Sequence, residues 1–223
     1  GQFCTNPGLV VGLDSDELDS FVHQAGLLFQ EAGVETMLNP RIHRAYQEGS
    51  NKLKAVKGVE VSAEAAGVSE VGGNQARPAL FASDGRTFLE NPLMSEEVFG
   101  PSSLFIRARS REELLRIAAT LKGHLTASIH GSEQDLREYA DLAAVLQRNV
   151  GRLIFNGFPT GVEVCTAMNH GGPYPASTDS HFTSVGTAAI YRFCRPICFQ
   201  GFPDHALPPE LQDENPLGIL RQI

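Results

Sequence analysis

The chain has 223 residues, 42% of them hydrophobic, enough for a packed core in one large domain or one domain with an appendage. Its formal charge of −8 argues against nucleic acid or an anionic membrane surface as a main partner, since both call for basic patches. No apolar run approaches the ~20 residues that cross a bilayer, and no charged-then-apolar leader is visible, although a chain beginning inside a motif could have lost one.

Residues 9–13 (Leu-Val-Val-Gly-Leu) read as a short buried strand. Asp14 with Glu17 then reads as a helix N-cap and its reciprocal acid. Leu18, Phe21, Val22, Ala25, Leu28, Phe29 and Ala32 recur at helical spacing, and Gly33 ends the run. Asn39-Pro40 opens a second helix with apolar stripe Ile42, Ala45, Tyr46, Leu53 and Val56, stopped by Gly58. Residues 58–77 are weakly patterned, with an exposed loop at 71–74. Pro78 to Ser83 suggests a strand, and Asp84-Gly85 a turn.

The clearest patterning follows. Strands are expected at 103–107, 125–130 and 152–155. Between them lie helices capped by Ser110 (with Glu113 completing a capping box) and by Ser132. Such crossovers predict an α/β fold: an open, mostly parallel twisted sheet with flanking helices. Ligands of these sheets gather at the carboxyl ends of strands, which draws attention to the loop beginning at Asn156. Residues 157–178 are broken by glycine and proline, 183–194 suit a short helix, 197–202 an edge strand, and 203–223 a Pro-rich acidic tail.

The four cysteines (Cys4, Cys165, Cys194, Cys198) do not have zinc spacing, and no metal site is expected. No Asn-x-Ser/Thr sequon occurs, so reduced thiols and a cytoplasmic location are expected. Neither a Gly-x-Gly-x-x-Gly turn nor a phosphate-binding Gly-x-x-x-x-Gly-Lys-Ser/Thr loop is present. Cys4, in Gly1-Gln2-Phe3-Cys4-Thr5-Asn6-Pro7-Gly8, is a nucleophile or a small buried residue; cysteine is often the latter. Glu97, in Glu96-Glu97-Val98-Phe99-Gly100-Pro101, is a solvated turn acid or a carboxylate that accepts from sugar hydroxyls, with Phe99 beside a flat heterocycle. His170, in Asn169-His170-Gly171-Gly172-Pro173, is a structural loop residue or one that touches substrate or tunes Cys4. Asp179 and His181 with Cys4 form a Cys-His-Asp hydrolase set on paper, though chains of this size offer such triplets by chance. Cys165, Cys194 and Cys198 read as packing thiols.

The order and spacing of these three motifs, with Phe155 to Cys165 before the last, resemble the aldehyde dehydrogenase superfamily over most of residues 1–202. With His170 where an aromatic usually precedes the paired glycines, the pattern looks like the branch of 2-oxoglutarate-semialdehyde (2,5-dioxopentanoate) dehydrogenases and a bacterial NADP-dependent fatty-aldehyde dehydrogenase. The resemblance implies that Cys4 attacks the aldehyde and that its backbone N–H helps hold the oxyanion. It implies further that Glu97 and Phe99 bind NADP or NAD, and that Phe3, Thr160, Gly161, Val162, Val164 and His170 shape the aldehyde tunnel. It implies a catalytic domain over 1–195 and an oligomerisation strand and tail over 196–223, making a homodimer or homotetramer. The family's general-base glutamate, its oxyanion asparagine and its dinucleotide-binding domain precede the cysteine. The expectation is therefore a C-terminal catalytic portion, inactive alone; the other reading is a structural or oligomerisation module without chemistry.

Overall fold

The computed structural model describes residues 2–67 and 73–221. Elements follow in the order β1 (Leu9–Leu13), α1 (Asp16–Glu31), β2 (Glu35–Thr36), α2 (Pro40–Ala55), β3 (Glu60–Glu64), β4 (Gln75–Ala76), β5 (Ala79–Asp84) and α3 (Gly85–Glu90). Then come β6 (Ser102–Ala108), α4 (Arg111–Thr120), β7 (His124–Ile129), α5 (Glu133–Glu138), α6 (Ala140–Asn149) and β8 (Val150–Phe155). Short 3-10 segments lie at Pro92–Ser95, Thr187–Phe193 and Asp204–Ala206. The chain divides into two compact units, Gly1–Ala189 and Ile190–Ile223.

The main sheet of the first unit has strand order β1-β6-β5-β3. β1, β6 and β5 run parallel, and β3 joins β5 antiparallel with a bulge between Val61 and Ala63. Period-two alternation gives the sheet two apolar faces. Leu104, Ile106 and Ala108 of β6, with Ala79 and Phe81 of β5, face Leu53, Phe88 and Ile117 from α2, α3 and α4. Phe105, Leu80 and Ala82 point the other way, onto Val22 of α1. Each fully buried side chain such as Phe81 or Leu80 contributes roughly 1.5–3 kcal/mol.

Several expectations change in the structure. The cap of α1 is Ser15, whose hydroxyl accepts from the Leu18 N–H, and not Asp14. Its apolar stripe is wider than the face it buries: Phe21 and Leu28 are exposed. Asp84 is not a simple turn residue; it caps α3 through the Thr87 N–H. Ser110 caps α4, but Glu113 accepts from the N–H of Arg109 and so does not close the capping box. The helix after Ser132 breaks at Tyr139, where Arg111 lies over the Tyr139 ring, donates to the Glu138 carbonyl and pairs with Asp141. Strands β3 and β4 lie in the weakly patterned stretch 58–77, and residues 71–72 of the expected loop are outside the described residues.

Two further differences concern sheet edges. β7 and β8 form their own parallel pair, and no ladder among the described residues joins them to β6. Apolar patterning marks a strand but does not name the edge it joins. Residues 197–202 form no strand. A strand needs a hydrogen-bonding neighbour, and this chain offers none to that segment among the described residues.

Candidate active site

The segment carrying Cys4 is pinned on both sides. Before it, the Leu38 N–H donates to Gln2 Oε1 at 2.8 Å. After it, the Ser103 hydroxyl donates to the Pro7 carbonyl at 2.7 Å, and the Leu104 N–H to the Gly8 carbonyl at 2.9 Å. A turn closed by the Asn6 N–H on the Phe3 carbonyl presents Cys4 to solvent, while Thr5 is buried.

β1 and β6 are adjacent and parallel with Leu9 opposite Leu104, so Cys4 and Phe99 each precede their strand's register partner by five residues. The two loops thus enter the sheet at the same end, before the first residues of β1 and β6. The second loop is held by α2: a Cβ on Gly100 would lie 2.2 Å from the Tyr46 ring, and Val98 packs on Gly49. The Tyr46 hydroxyl donates to the Arg77 carbonyl at 2.6 Å, and burial pushes its pKa up to about 12, so it stays a donor. Glu97 is exposed on the rim of a cavity of about 200 Å³ that Glu48, Gly49 and Lys52 also line. An exposed carboxylate can accept hydrogen bonds from hydroxyl groups.

His170 reaches the thiol from a segment 166 residues further along the chain. The chain leaves the end of β8, loops through residues 157–168 and returns to the start of that strand. There Asn169 donates to the Gly151 carbonyl at 2.8 Å. The fit is close: a Cβ on Gly151 would lie 2.0 Å from the Gly171 carbonyl oxygen, and one on Gly123 2.0 Å from that of Pro173. The buried Thr183 hydroxyl accepts from the His170 N–H at 2.7 Å, and Ser184 donates to the His170 carbonyl through both its N–H and hydroxyl. The imidazole Nε2 then lies 3.4 Å from Cys4 Sγ.

The expected carboxyl-end location is therefore corrected. Cys4 and Phe99 precede their strands, and the glycine pair after His170 packs on the first residues of β7 and β8. The arrangement suits proton transfer between a thiol and an imidazole, and so nucleophilic attack by sulfur. His170 Nδ1 is buried and has no partner among the described residues, so no carboxylate orients the ring there. His181 bonds Asp179 at 2.8 Å and is largely exposed; the imidazole at Cys4 is that of His170, which corrects the Cys-His-Asp arrangement. Phe3, Thr160, Gly161, Val162 and Val164 are exposed. All four cysteines are free, but Cys194 and Cys198 are exposed and Cys165 half-buried, so the first two do not serve as packing thiols. No group of three or more metal-binding side chains is found, and no helix is long and apolar enough to cross a membrane, among the described residues.

Sequence reading missed Arg152 and Thr183. Arg152 donates to the Gly161 carbonyl at 2.8 Å and the Pro159 carbonyl at 2.6 Å. Its signal was a cation inside the apolar run Val150 to Phe155. Thr183 carried no signal, being one hydroxyl among many in a loop.

No family model matches the chain. It is 46% identical over 222 residues to alpha-ketoglutaric semialdehyde dehydrogenase 2 of Azospirillum brasilense, a match covering 99% of the chain and 42% of that protein. It is 43% identical over 224 residues to alpha-ketoglutaric semialdehyde dehydrogenase of Acinetobacter baylyi, covering 100% of the chain and again 42% of the relative. Among solved structures, Δ-pyrroline-5-carboxylate dehydrogenase of Mycobacterium tuberculosis aligns with a TM-score of 0.67 at 13% identity, over 90% of the chain and 39% of its own. Succinic semialdehyde dehydrogenase of Streptococcus pyogenes in complex with NADP+ gives 0.61 at 21% identity (77% and 37% covered). Betaine aldehyde dehydrogenase of Staphylococcus aureus in complex with NAD+ gives 0.62 at 14% identity (86% and 38% covered). The chain spans less than half the length of these relatives: it is similar in sequence to part of two semialdehyde dehydrogenases and in fold to part of solved dehydrogenase structures.

Proposed function

We propose that this chain is the thiol-bearing part of an NAD(P)-dependent enzyme that oxidises 2-oxoglutarate semialdehyde to 2-oxoglutarate. The observation that carries the reading is the approach of His170 Nε2 to Cys4 Sγ at 3.4 Å. The identity of 46% and 43% to two proteins named for that semialdehyde supports the substrate. Structural neighbours solved with NADP+ and NAD+ support the cofactor class.

In this reading His170 takes the thiol proton, and the sulfur attacks the aldehyde carbon to give a thiohemiacetal. The Cys4 backbone N–H helps hold the oxyanion as charge develops. A bound nicotinamide supplies the hydride acceptor. Loss of hydride from the carbon leaves a Cys4 thioester, which water hydrolyses to the acid and free thiol. Glu97 accepts hydrogen bonds from ribose hydroxyls and Phe99 flanks the nicotinamide. Phe3, Thr160, Gly161, Val162 and Val164 line the aldehyde's approach, and their exposure leaves that wall to be completed by other segments.

The second unit belongs to assembly in this reading. Ile190, Tyr191, Phe193, Ile197 and Phe202 are exposed there, and residues 197–202 would gain their missing strand partner from a second copy, giving a homodimer or homotetramer. Four free thiols support a cytoplasmic home.

The test is semialdehyde-dependent NAD(P)H formation by the full-length enzyme with Cys4 intact and with Cys4→Ser. Loss of turnover in the variant, with the fold retained, is expected. Turnover unaffected by Cys4→Ser would overturn the reading.

A further inference from the structure

Arg152 is a half-buried cation whose hydrogen bonds among the described residues all go to neutral acceptors. Its Nη1 donates to the Gly161 carbonyl at 2.8 Å and lies 3.8 Å from Met168 Sδ; its Nη2 donates to the Pro159 carbonyl at 2.6 Å. Its Nε is buried without a partner, and no carboxylate pairs with it among the described residues. A cation withdrawn from water without a counter-ion is costly, and a neutral residue could fill the space. The planar fork explains what is gained: three points of one loop are tied to one side chain.

Those points matter because of where the loop ends. Arg152 grips the outgoing leg at Pro159 and Gly161 and the returning leg at Met168. The next residue, Asn169, bonds the carbonyl of Gly151, the neighbour of Arg152 on β8. The residue after that is His170, at 3.4 Å from Cys4 Sγ. We infer that Arg152 is a positioning residue: by cross-tying residues 159–168 it holds His170 at the distance where its imidazole takes the Cys4 proton. This rests on the reading of Cys4 and His170 as a working pair. It differs from a substrate-binding role, since both terminal nitrogens of the guanidinium donate to the loop's own carbonyls.

The experiment is iodoacetamide labelling of the folded chain at neutral pH, with the rate at each cysteine read by peptide mass spectrometry. Cys194 and Cys198 serve as internal references. Arg152→Met keeps an apolar stem and removes every donor. It is expected to slow Cys4 about tenfold, as His170→Asn does, because an unassisted thiol is only a few per cent thiolate. The double variant is expected to be no slower than His170→Asn alone, because both changes remove one interaction. Arg152→Lys, which keeps a donor for one carbonyl, is expected to recover part of the rate. Circular dichroism checks the fold. If Arg152→Met loses it, Arg152→Lys against wild type decides, and an unchanged Cys4 rate there overturns the inference. So does Arg152→Met with an unchanged rate while His170→Asn slows it, or additive slowing in the double variant. If His170→Asn itself has no effect, the thiol–imidazole reading fails and the inference fails with it.

Discussion

Cys4 Sγ lies 3.4 Å from Nε2 of His170, across 166 residues of sequence. Neither side chain is held by the other alone. Cys4 is fixed through Gln2, Pro7 and Gly8, and His170 through Asn169, Thr183 and Ser184. The pair is therefore a product of the fold.

Replacing His170 by Asn removes the proton acceptor and keeps a similar volume. Alkylation of Cys4 at neutral pH is expected to fall about tenfold, while Cys194 and Cys198 keep their rates. Residue-resolved mass spectrometry measures all three in one sample.

Gly151→Ala places a methyl group 2.0 Å from the Gly171 carbonyl oxygen and 2.6 Å from its carbon, both backbone atoms that cannot swing aside. The returning loop must shift. The expected outcome is a loss of about 1–3 kcal/mol in urea unfolding, together with slower Cys4 labelling in the folded fraction. Unchanged labelling at reduced stability would separate loop register from thiol assistance.

Gly100→Ala brings a Cβ to 2.2 Å from the Tyr46 ring, which is buried and anchored by its bond to Arg77. Because the ring cannot retreat without losing that bond, a cost of about 2–3 kcal/mol is expected. Chemical denaturation reads it. Cys4 labelling should change little, since its segment is tied to β6 separately.

Burial lowers the pKa of His124 below the ordinary histidine value. Above about pH 6.5 the imidazole is neutral in both folded and unfolded chains. As pH falls below that, the unfolded chain takes up the proton first, so stability is lost on acidification. His124→Gln is expected to flatten the fall in stability between about pH 7 and pH 5. A parallel curve for the variant would show that other groups carry the dependence.

Much of the fold was legible because it is written locally. Asn39, Ser110 and Ser132 each cap the helix they announce, and the alternation in Leu104 to Ala108 matches its two buried faces. What escaped depends on partners distant in sequence. The period of β7 says nothing about its separation from β6, and Ile197 to Phe202 looks strand-like whether or not a neighbour exists. At the site, Cys4, Glu97 and His170 stood out through the glycines and prolines around them. The distance between Cys4 and His170 did not, because it depends on Gly151 and Gly171 meeting. Arg152 was hidden by its chemistry: a cation inside a strand is legible only once its acceptors, the carbonyls of Pro159 and Gly161, are known.

The most direct test of the central claim, that Cys4 is a prepared nucleophile, is a pre-steady-state reaction of the 223-residue chain with a 4-nitrophenyl ester. The account predicts a burst of one equivalent of nitrophenolate per chain, the acyl group on Cys4 by mass spectrometry, and a slow rate thereafter. Acylation spread evenly over Cys4, Cys165, Cys194 and Cys198 with no burst would contradict it.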